Sequence, residues 1–311
     1  MQILRGVPDA ATSPVALTIG NFDGVHLGHQ AMLAKLRAAA SARALPACVM
    51  TFEPHPREFF APDQAPVRLT SMREKLELLG LHGVERTHVL RFNFSLAQVT
   101  AQDFIERILV RGLDVRWLQV GDDFRFGARR AGDLAMLRAQ AAQQGYEVEG
   151  MATVVLDGER VSSTAVREAL VAGDVAKAAR LLGRPYSISG RVVHGDRLGH
   201  ELGFPTANVQ MKHNRPPLTG IFAVEFTRSS GSTLQGVASL GVRPTVKARG
   251  AAPVLEVYVF DFKEEIYGEH VCVDFLHKFR DEVKYVDLET LKQQIARDVA
   301  DAHEFFSRRA A

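Results

Sequence analysis

A turn at residues 20–29, with the sequence GNFDGVHLGH, constrains this chain more than any other stretch. The apolar run Val15–Ile19 before it predicts a buried strand, and the Ala-, Leu- and Arg-rich run 30–45 after it predicts a helix. The first turn of such a helix has unpaired N–H groups and a partial positive charge, which favour phosphate binding. His26 and His29 are three residues apart, so both rings can reach one phosphate. The turn predicts a site that stabilises charge on a transferring phosphoryl group.

The glycines of this turn support the same interpretation. Gly20, Gly24 and Gly28 allow the backbone to approach a ligand closely, because none carries a Cβ atom. A glycine-rich turn that only reverses the chain is the alternative. Two histidines that bracket a glycine, directly after Phe22 and Asp23, argue against it.

Composition limits the kinds of partner. A chain of 311 residues favours two domains, each with its own core. Lys and Arg number 38 against 36 Asp and Glu, so nothing requires a nucleic acid or a membrane. Cys48 and Cys272 lie in separate apolar runs, which indicates buried thiols of a reducing compartment. We expect a cytoplasmic protein that binds small molecules as a monomer or weak homo-oligomer.

Residues 15–183 alternate between strand and helix patterns. This alternation predicts an α/β domain with a doubly wound parallel sheet. Ligands of such sheets bind beyond the carboxyl ends of the strands. The segments predicted at those ends are the turn above, residues 53–56, residues 122–127 and residues 162–164.

The pattern changes after Pro185. Five short strand-like runs follow, separated by Gly, Pro and Ser, and a helical pattern at residues 288–306 closes the chain. Strands without intervening helices predict an antiparallel barrel with a C-terminal helix. With a linker at residues 183–185, the predicted domains are 1–184 and 185–311.

A second phosphate-binding pattern lies at residues 160–167. Ser163 and Thr164 stand at a predicted helix start, with Arg160 before them and Arg167 one turn later. Hydroxyl, N–H and guanidinium groups together suit the β- and γ-phosphates of a triphosphate. An ordinary Ser/Thr helix cap is the alternative.

The second domain has its own candidate groups. Thr206 and Asn208 offer the hard oxygen donors that suit Mg²⁺, although they also fit the polar face of a strand. Glu256, between two apolar residues, is a candidate base or a solvated strand residue. Gly195, Gly199 and Gly203 form a glycine-spaced loop that suits phosphates.

Seven segments together resemble the bacterial bifunctional riboflavin kinase/FMN adenylyltransferases, also called FAD synthetases. They are GNFDGVHLGH, TFEPHP, GDDFRFG and SSTAVR in the first domain, and GDRLGHELGFPTANV, GVRPT and LEV in the second. The resemblance covers nearly the whole chain in order. It implies an HxGH nucleotidyltransferase domain followed by a six-stranded antiparallel β-barrel kinase domain.

The resemblance also implies reactions and residue roles. Riboflavin would be phosphorylated by ATP to FMN, and AMP would pass from a second ATP to FMN, which gives FAD and pyrophosphate. Mg²⁺ would assist both steps. The implied catalytic residues are His26, His29 and Glu256, and the implied metal ligands are Thr206 and Asn208. The implied ATP and phosphate contacts are Gly20, Phe22, Asp23, Gly28, Arg160, Ser163, Thr164, Arg167, Gly195, Gly199 and Gly203.

The implied flavin or nucleotide pocket is less well defined. Its candidates are His55, Asp123, Phe124, Phe126 and Arg280. His55 could instead hold its loop, the two phenylalanines could belong to the core, and Arg280 could be a solvated strand-end residue. The family usually carries Arg or Lys where His200 stands, which weakens the charge expected near the kinase phosphates.

Two other functions stay open from sequence alone. One is an HxGH nucleotidyltransferase that acts on another phosphate ester and carries an accessory β-domain, which leaves GFPTAN without a role. The other is a flavin- or nucleotide-binding protein without catalysis, which fits poorly with phosphate-binding groups in both halves.

Overall fold

The computed structural model describes residues 1–195, 202–213, 215–242 and 253–310. Gly199, His200 and the GVRPT residues 243–245 lie outside the described residues. The chain forms two compact units: the first contains residues 1–66 and 72–162, and the second contains residues 67–71 and 163–311. The domain boundary expected between residues 184 and 185 stays a prediction.

The first unit is built on a six-stranded parallel sheet, with strand order β1-β4-β3-β2-β5-β8. Its strands are β1 Gln2–Arg5, β2 Val15–Ile19, β3 Ala47–Glu53, β4 Arg86–Arg91, β5 Val115–Gly121 and β8 Glu147–Met151. From β2 the chain first builds one side of the sheet and then, from β5, the other. The direction in which strands are added therefore reverses between β2 and β5, which confirms the predicted doubly wound fold. The turn after β2 lies at this point of reversal, where ligands of such sheets bind.

Two short antiparallel pairs accompany this sheet. They are β6 Arg125–Phe126 with β7 Gly132–Asp133, and β9 Val155–Leu156 with β10 Glu159–Arg160. The strand expected over residues 146–155 ends at Met151, and the chain then turns into β9.

Helices cover both faces of the sheet. They are α1 Leu27–Ala42, α2 Pro56–Phe60, α3 Met72–Leu81, α4 Phe94–Ala97, α5 Ala101–Asp103, a π-helical segment Phe104–Gly112, and α6 Leu134–Gln144. One core packs Val15 and Leu17 of β2 against the π-helical segment and α6. The other packs Ala16 against α1 and α3. Alternate residues of β2 thus point to opposite faces, and all five are buried, as expected for a central parallel strand.

The second unit contains a closed barrel with strand order β11-β12-β15-β14-β13-β16. Its six antiparallel strands are β11 Tyr186–Val193, β12 Ala207–Met211, β13 Gly220–Thr227, β14 Thr233–Val242, β15 Pro253–Val259 and β16 His270–Arg280. Its helices are α7 Ser163–Val171, α8 Val175–Leu182 and α9 Leu288–Ala310. The predicted six-stranded barrel with a C-terminal helix is confirmed.

Side chains alternate between the two faces of the barrel wall. Phe222, Phe226 and Phe275 are fully buried. On the outer face, Ala223 and Val237 pack against Ala302 and Phe306 of α9. The C-terminal helix therefore closes an apolar patch on the outside of the barrel.

No helix in the part of the chain that the structure describes combines the length and the apolarity needed to cross a membrane.

Candidate functional site

The turn after β2 is held in a strained backbone conformation. Phe22 and Val25 have positive φ angles of 49° and 43°, a region that non-glycine side chains rarely adopt. Gly24, between them, has a φ of 83°. Both strained side chains are fully buried in the core beneath α1. Such strain persists only where the surroundings enforce it, and it concentrates at functional sites.

The two histidines of the turn form one stacked pair. Their ring centroids are 3.7 Å apart at an interplanar angle of 19°. His26 caps α1, because its Nδ1 accepts the N–H of His29 at 3.4 Å. In the neutral tautomer that accepts this bond, the proton of the His26 ring lies on Nε2, which is a hydrogen-bond donor; a protonated His26 would instead place a positive charge beside His29. The helix start thus offers an imidazole N–H beside the backbone N–H groups of α1.

Gly28 makes this stack possible. A Cβ at Gly28 would lie 3.0 Å from Cε1 of His26 and 3.6 Å from the carbonyl oxygen of Val161. The segment that carries Arg160 therefore runs beside the histidine pair. Gly20 similarly makes room for Phe22, since its Cβ would lie 3.0 Å from that ring.

His29 is kept neutral by its surroundings. Burial lowers its pKa well below the usual value of 6.5, and the charges of His26 and Lys75 lower it further. Among the described residues, Nδ1 of His29 has no hydrogen-bond partner. A buried ring with an unused nitrogen is costly unless a ligand or a water completes it.

Lys75 is a site residue that sequence reasoning missed. Its side chain lies in α3 and is only 6% exposed, and its charge acts on His29. The sequence placed it in a helix after Ser71, but no local pattern relates that helix to the histidine pair.

Asp123 and Arg160 meet across two loops. Nη2 of Arg160 donates to Oδ2 of Asp123 at 2.9 Å, and both side chains are more than half exposed. Both were predicted to bind the nucleotide or its phosphates, and the structure brings them together. An exposed pair of this kind is weak, so an anionic ligand can replace the carboxylate at little cost.

His55 has a structural role in its loop. It caps α2: its Nδ1 accepts the N–H of Arg57 at 3.0 Å, and its own N–H donates to Glu58 at 3.1 Å. A contact of His55 with a ligand stays a prediction.

An aromatic cluster follows β3 and was not expected from the sequence. The rings of Phe52, Phe59 and Phe60 all contact Phe92 edge-on, at centroid distances of 5.5 to 5.9 Å. Phe60 is 67% exposed. An exposed aromatic side chain attached to a rigid cluster is a suitable surface for a flat ring.

The two phenylalanines of the GDDFRFG segment differ in environment. Phe126 is 5% exposed and packs against Phe104 in the sheet core, at a centroid distance of 5.3 Å. Phe124 is half-buried and stacks on Phe126 at 5.7 Å. The structure therefore places Phe126 in the core, and Phe124 keeps an accessible side.

The SSTAVR segment begins α7 in the second unit, as predicted, with Ser163 and Thr164 as its first two residues. Nε of Arg167 donates to the carbonyl oxygen of Val67 at 2.6 Å. Arg167 thus attaches residues 67–71 to this helix. Phosphate contacts of these three side chains stay a prediction.

The candidate kinase residues share one row across the outer face of the barrel. Asn208 lies directly opposite Glu256, and Glu256 lies directly opposite Ser239. Residues opposite each other on antiparallel strands have Cβ atoms about 4.5–5.5 Å apart on the same face. The full row across neighbouring strands is Val193, Asn208, Glu256, Ser239, Ile221 and Arg280.

Gly195, the first residue of the predicted glycine-spaced loop, packs against the same row. A Cβ at Gly195 would overlap the amide of Asn208, so only glycine fits there. Gly203 has a φ of 89°, which also favours glycine. Phe204 contacts Tyr258 edge-on at 5.5 Å, and Tyr258 lies two residues beyond Glu256 on the same face. The structure therefore places one predicted metal ligand, Asn208, directly opposite the predicted base, Glu256.

Arg280, at the end of the row, is occupied by an ion pair. Its Nε and Nη2 donate to the two carboxylate oxygens of Asp298 at 2.8 and 2.6 Å. Asp298 is 4% exposed and belongs to α9. The pair fastens the C-terminal helix to β16, and a ligand contact of Arg280 stays a prediction.

The side chains of Thr206 and Asn208 are chemically suited to bind a magnesium ion. A hydroxyl and an amide oxygen are hard donors. Among the described residues, no group of three or more His, Cys, Asp or Glu side chains could hold a metal ion.

Comparison with known proteins agrees with both halves of the chain. A family model for FAD synthetase matches residues 9–165, and one for riboflavin kinase matches residues 182–306. The bifunctional riboflavin kinase/FMN adenylyltransferase of Haemophilus influenzae is 45% identical over 309 residues, which is 99% of this chain and 100% of the relative. The Escherichia coli enzyme of the same name is 47% identical, and the match covers 98% of this chain and 98% of that enzyme.

A solved structure shows the same fold over almost the full length. It is the crystal structure of a protein described as a macrolide-efflux protein from Streptococcus pneumoniae, with a TM-score of 0.82 at 29% identity. The match covers 96% of this chain and 97% of that one. From its two family models and its full-length relatives, this chain belongs to the bifunctional riboflavin kinase/FMN adenylyltransferase family.

Proposed function

We propose that the chain, a bifunctional riboflavin kinase and FMN adenylyltransferase, transfers AMP at the histidine pair of the first unit. We propose further that it phosphorylates riboflavin at the outer-face row of the barrel. The observation that carries the proposal is that each compact unit assembles its own set of polar groups. In the first unit these are His26, His29 and Arg160, and in the second they are Asn208 and Glu256.

Adenylyl transfer needs charge stabilisation more than covalent help from the protein. A phosphate oxygen of FMN attacks the α-phosphorus of ATP, and the bond to pyrophosphate breaks. The Nε2–H of His26, the neutral ring of His29 and the α1 N–H groups would hold the phosphate oxygens during this step. Arg160 would leave Asp123 and pair with the departing pyrophosphate. The exposed side of Phe60 and the accessible side of Phe124 would contact the flavin ring.

Riboflavin phosphorylation needs a base and a means of spreading charge. Glu256 would accept the proton of the ribityl 5′-hydroxyl while that oxygen attacks the γ-phosphorus of ATP, and ADP would leave. Thr206 and Asn208 would contribute ligands to Mg²⁺, which shields the phosphate charges when it is bound. The loop that includes Gly195 and Gly203 would cover the phosphates.

The test is an assay of the purified chain with riboflavin, ATP and Mg²⁺, followed by chromatography of the flavins. We expect FMN and then FAD, with both absent when EDTA removes the divalent cation. A chain that makes FAD from supplied FMN but no FMN from riboflavin would be a nucleotidyltransferase only. A chain that binds flavin and ATP without turnover would contradict both reactions.

Location and assembly complete the proposal. Burial raises the pKa of the Cys48 thiol to about 12, and no disulfide joins Cys48 to Cys272 in the described residues. Cys48 is therefore unreactive, whereas Cys272, which was expected to be buried, is only partly buried. Free thiols suit a reducing compartment, so we infer a cytoplasmic location. A monomer or weak homo-oligomer stays the prediction for assembly.

A further inference from the structure

The tip of the β6–β7 hairpin carries two consecutive arginines in a backbone conformation that non-glycine residues rarely adopt. Arg129 has a φ of 55° and Arg130 a φ of 59°. Glycine would adopt this conformation without strain because it has no Cβ atom, yet the chain has arginine at both positions. Strain of this kind concentrates at functional sites, which makes the two side chains candidates for binding a ligand.

The two arginines keep an uncompensated positive charge. Both are exposed, and among the described residues neither side chain makes a hydrogen bond or an ion pair. Arg125 of the same hairpin differs, because it pairs with Asp133 at 2.7 Å. The charge at the tip is therefore available to an anion.

The hairpin that presents this charge is held firmly. The N–H of Ala128 donates to the carbonyl oxygen of Val99 at 2.7 Å. A Cβ at Gly127 would lie 2.6 Å from the backbone nitrogen of Ala101, so only glycine allows this close approach. At the other end of the hairpin, Asp133 pairs with β6 and caps α6. The tip is thus fixed to the sheet core on one side and to a helix on the other.

The tip lies close to the aromatic side chains proposed for the flavin ring. Arg130 is two residues from Gly132, so their Cα atoms are at most about 7 Å apart. A Cβ at Gly132 would overlap the ring of Phe126, and Phe124 stacks on that ring at 5.7 Å. A long arginine side chain at the tip can therefore reach a group attached to a flavin bound at Phe124.

The proposed reaction requires positive charge at such a group. A phosphate monoester carries a charge of about −1.5 to −2 at pH 7. The phosphate of FMN must approach the α-phosphate of ATP, which is itself anionic, and the two repel each other. The histidine pair, the α1 N–H groups and Arg160 are already assigned to ATP. Arginine suits the second phosphate, because its planar fork binds two phosphate oxygens at once.

We propose that Arg129 and Arg130 bind the phosphate group of FMN and hold it for attack on ATP. The inference rests on the proposed transfer of AMP to FMN in the first unit. The two arginines contact the substrate and offset its charge, and they form or break no covalent bond.

The experiment measures FAD formation from supplied FMN for Arg129→Gly, Arg130→Gly and the double variant. We expect the KM for FMN to rise about tenfold in each single variant and about a hundredfold in the double variant, as for lost hydrogen bonds to a charged group. The KM for ATP should stay within about twofold of the parent. Riboflavin phosphorylation should not change. A double substitution of both arginines by lysine keeps the charge but not the fork, and its KM for FMN should lie between those of the parent and the double glycine variant.

Stability provides a second readout. Glycine relieves the strain at both positions, so the glycine variants should unfold at a higher urea concentration than the parent while they bind FMN more weakly. A purely structural role for the arginines predicts no such combination. The matched control is Asp261→Gly, an exposed residue with a φ of 53° in the turn after β15. It should relieve strain in the same way and leave the KM for FMN unchanged.

The failures are distinguishable. A parent chain that makes no FAD from supplied FMN would contradict the proposed function itself. If the parent is active but the KM for FMN is the same in the double glycine variant, only the inference about the two arginines is overturned. A rise in the KM for ATP without a rise for FMN would assign the arginines to the triphosphate and overturn it as well.

Discussion

The stacked histidines depend on a neighbour without a side chain. Gly28 lies between His26 and His29, and its missing Cβ leaves the space that the His26 ring occupies. Alanine at this position would favour the helix but press on that ring. We therefore expect Gly28→Ala to raise the stability of the chain and to lower the rate of adenylyl transfer.

We expect Gly28→Ala to lower the rate of FAD formation from FMN by about tenfold to a hundredfold, because small displacements of phosphate-binding groups are costly. Riboflavin phosphorylation should not change. The matched control is Gly80→Ala in α3, where the new Cβ meets only Met1 at 3.9 Å. It should stabilise the chain by about 0.5–1 kcal/mol without affecting either rate. Equal loss of both activities in Gly28→Ala would point to a folding defect.

His29 should make the stability of the chain depend on pH. Burial, His26 and Lys75 lower its pKa from 6.5 in the folded state, so the unfolded chain binds this proton more readily. The neutral His29 ring makes its full contribution to the free energy of unfolding above pH 6.5. That contribution is lost as the pH falls toward the pKa of His29 in the folded state. Urea unfolding at pH 7.5 and 5.5 should show a larger loss on acidification for the parent than for His29→Asn. Equal losses would exclude a lowered pKa.

At the scale of elements, two strands of the barrel bring like charges together. Asp274 of β16 lies opposite Glu225 of β13. Burial, followed by the charge of Glu225, raises the pKa of Asp274 to about 6, while Arg184 acts in the opposite direction. Carboxylates facing each other across a strand pair are destabilising.

This pair should weaken the barrel at neutral pH. A raised carboxyl pKa means that the folded state holds the proton more tightly, so stability falls as the pH rises from about 4 to about 6. Asp274→Asn should therefore stabilise the chain above pH 6, by about 1–3 kcal/mol, and change little near pH 4. Urea unfolding at pH 4.5 and 7.5 checks this. The control Asp281→Asn removes an exposed carboxylate and should change stability slightly at both values. A destabilised Asp274→Asn at pH 7.5 would contradict the argument.

Elements differ in how clearly the local sequence indicates them. The continuous apolar run Val15–Ile19 forms a strand where it was expected. The edge strand Gln2–Arg5 was missed because it is short and mostly exposed, and only its pairing with β4 defines it. Strand β12 was expected only as an alternative, because the alternation of Asn208 and Gln210 with apolar residues spans just five residues. The helix Val175–Leu182 was not predicted as a separate element.

Site residues were predictable where residues close together in the sequence form the contact. They were not predictable where folding brings distant residues together. His26 and His29 are one helical turn apart, so their pairing follows from the sequence. Lys75 reaches the histidine pair through tertiary packing, which no local pattern encodes. Phe126 fits both a pocket and a core by pattern, and only its burial separates the two.

At the scale of the whole molecule, each compact unit carries its own proposed catalytic residues, so each reaction should fail alone. We expect His29→Ala to convert riboflavin to FMN and stop there, because the barrel row is intact. Glu256→Ala should make no FMN yet convert supplied FMN to FAD. Chromatography of the flavins after incubation with ATP and Mg²⁺ measures both outcomes, and the untouched reaction of each variant shows that the variant is folded.

A mixture of the two variants gives the sharpest form of this prediction. Neither variant alone should make FAD from riboflavin, but equal amounts together should, because FMN released by His29→Ala reaches the intact adenylyltransferase of Glu256→Ala. The rate should rise with the concentration of the second variant until phosphorylation is limiting. If the mixture accumulated FMN without FAD while Glu256→Ala still used supplied FMN, then FMN would not leave the chain that made it. If either variant lost both reactions, the two units would not act as separate catalysts.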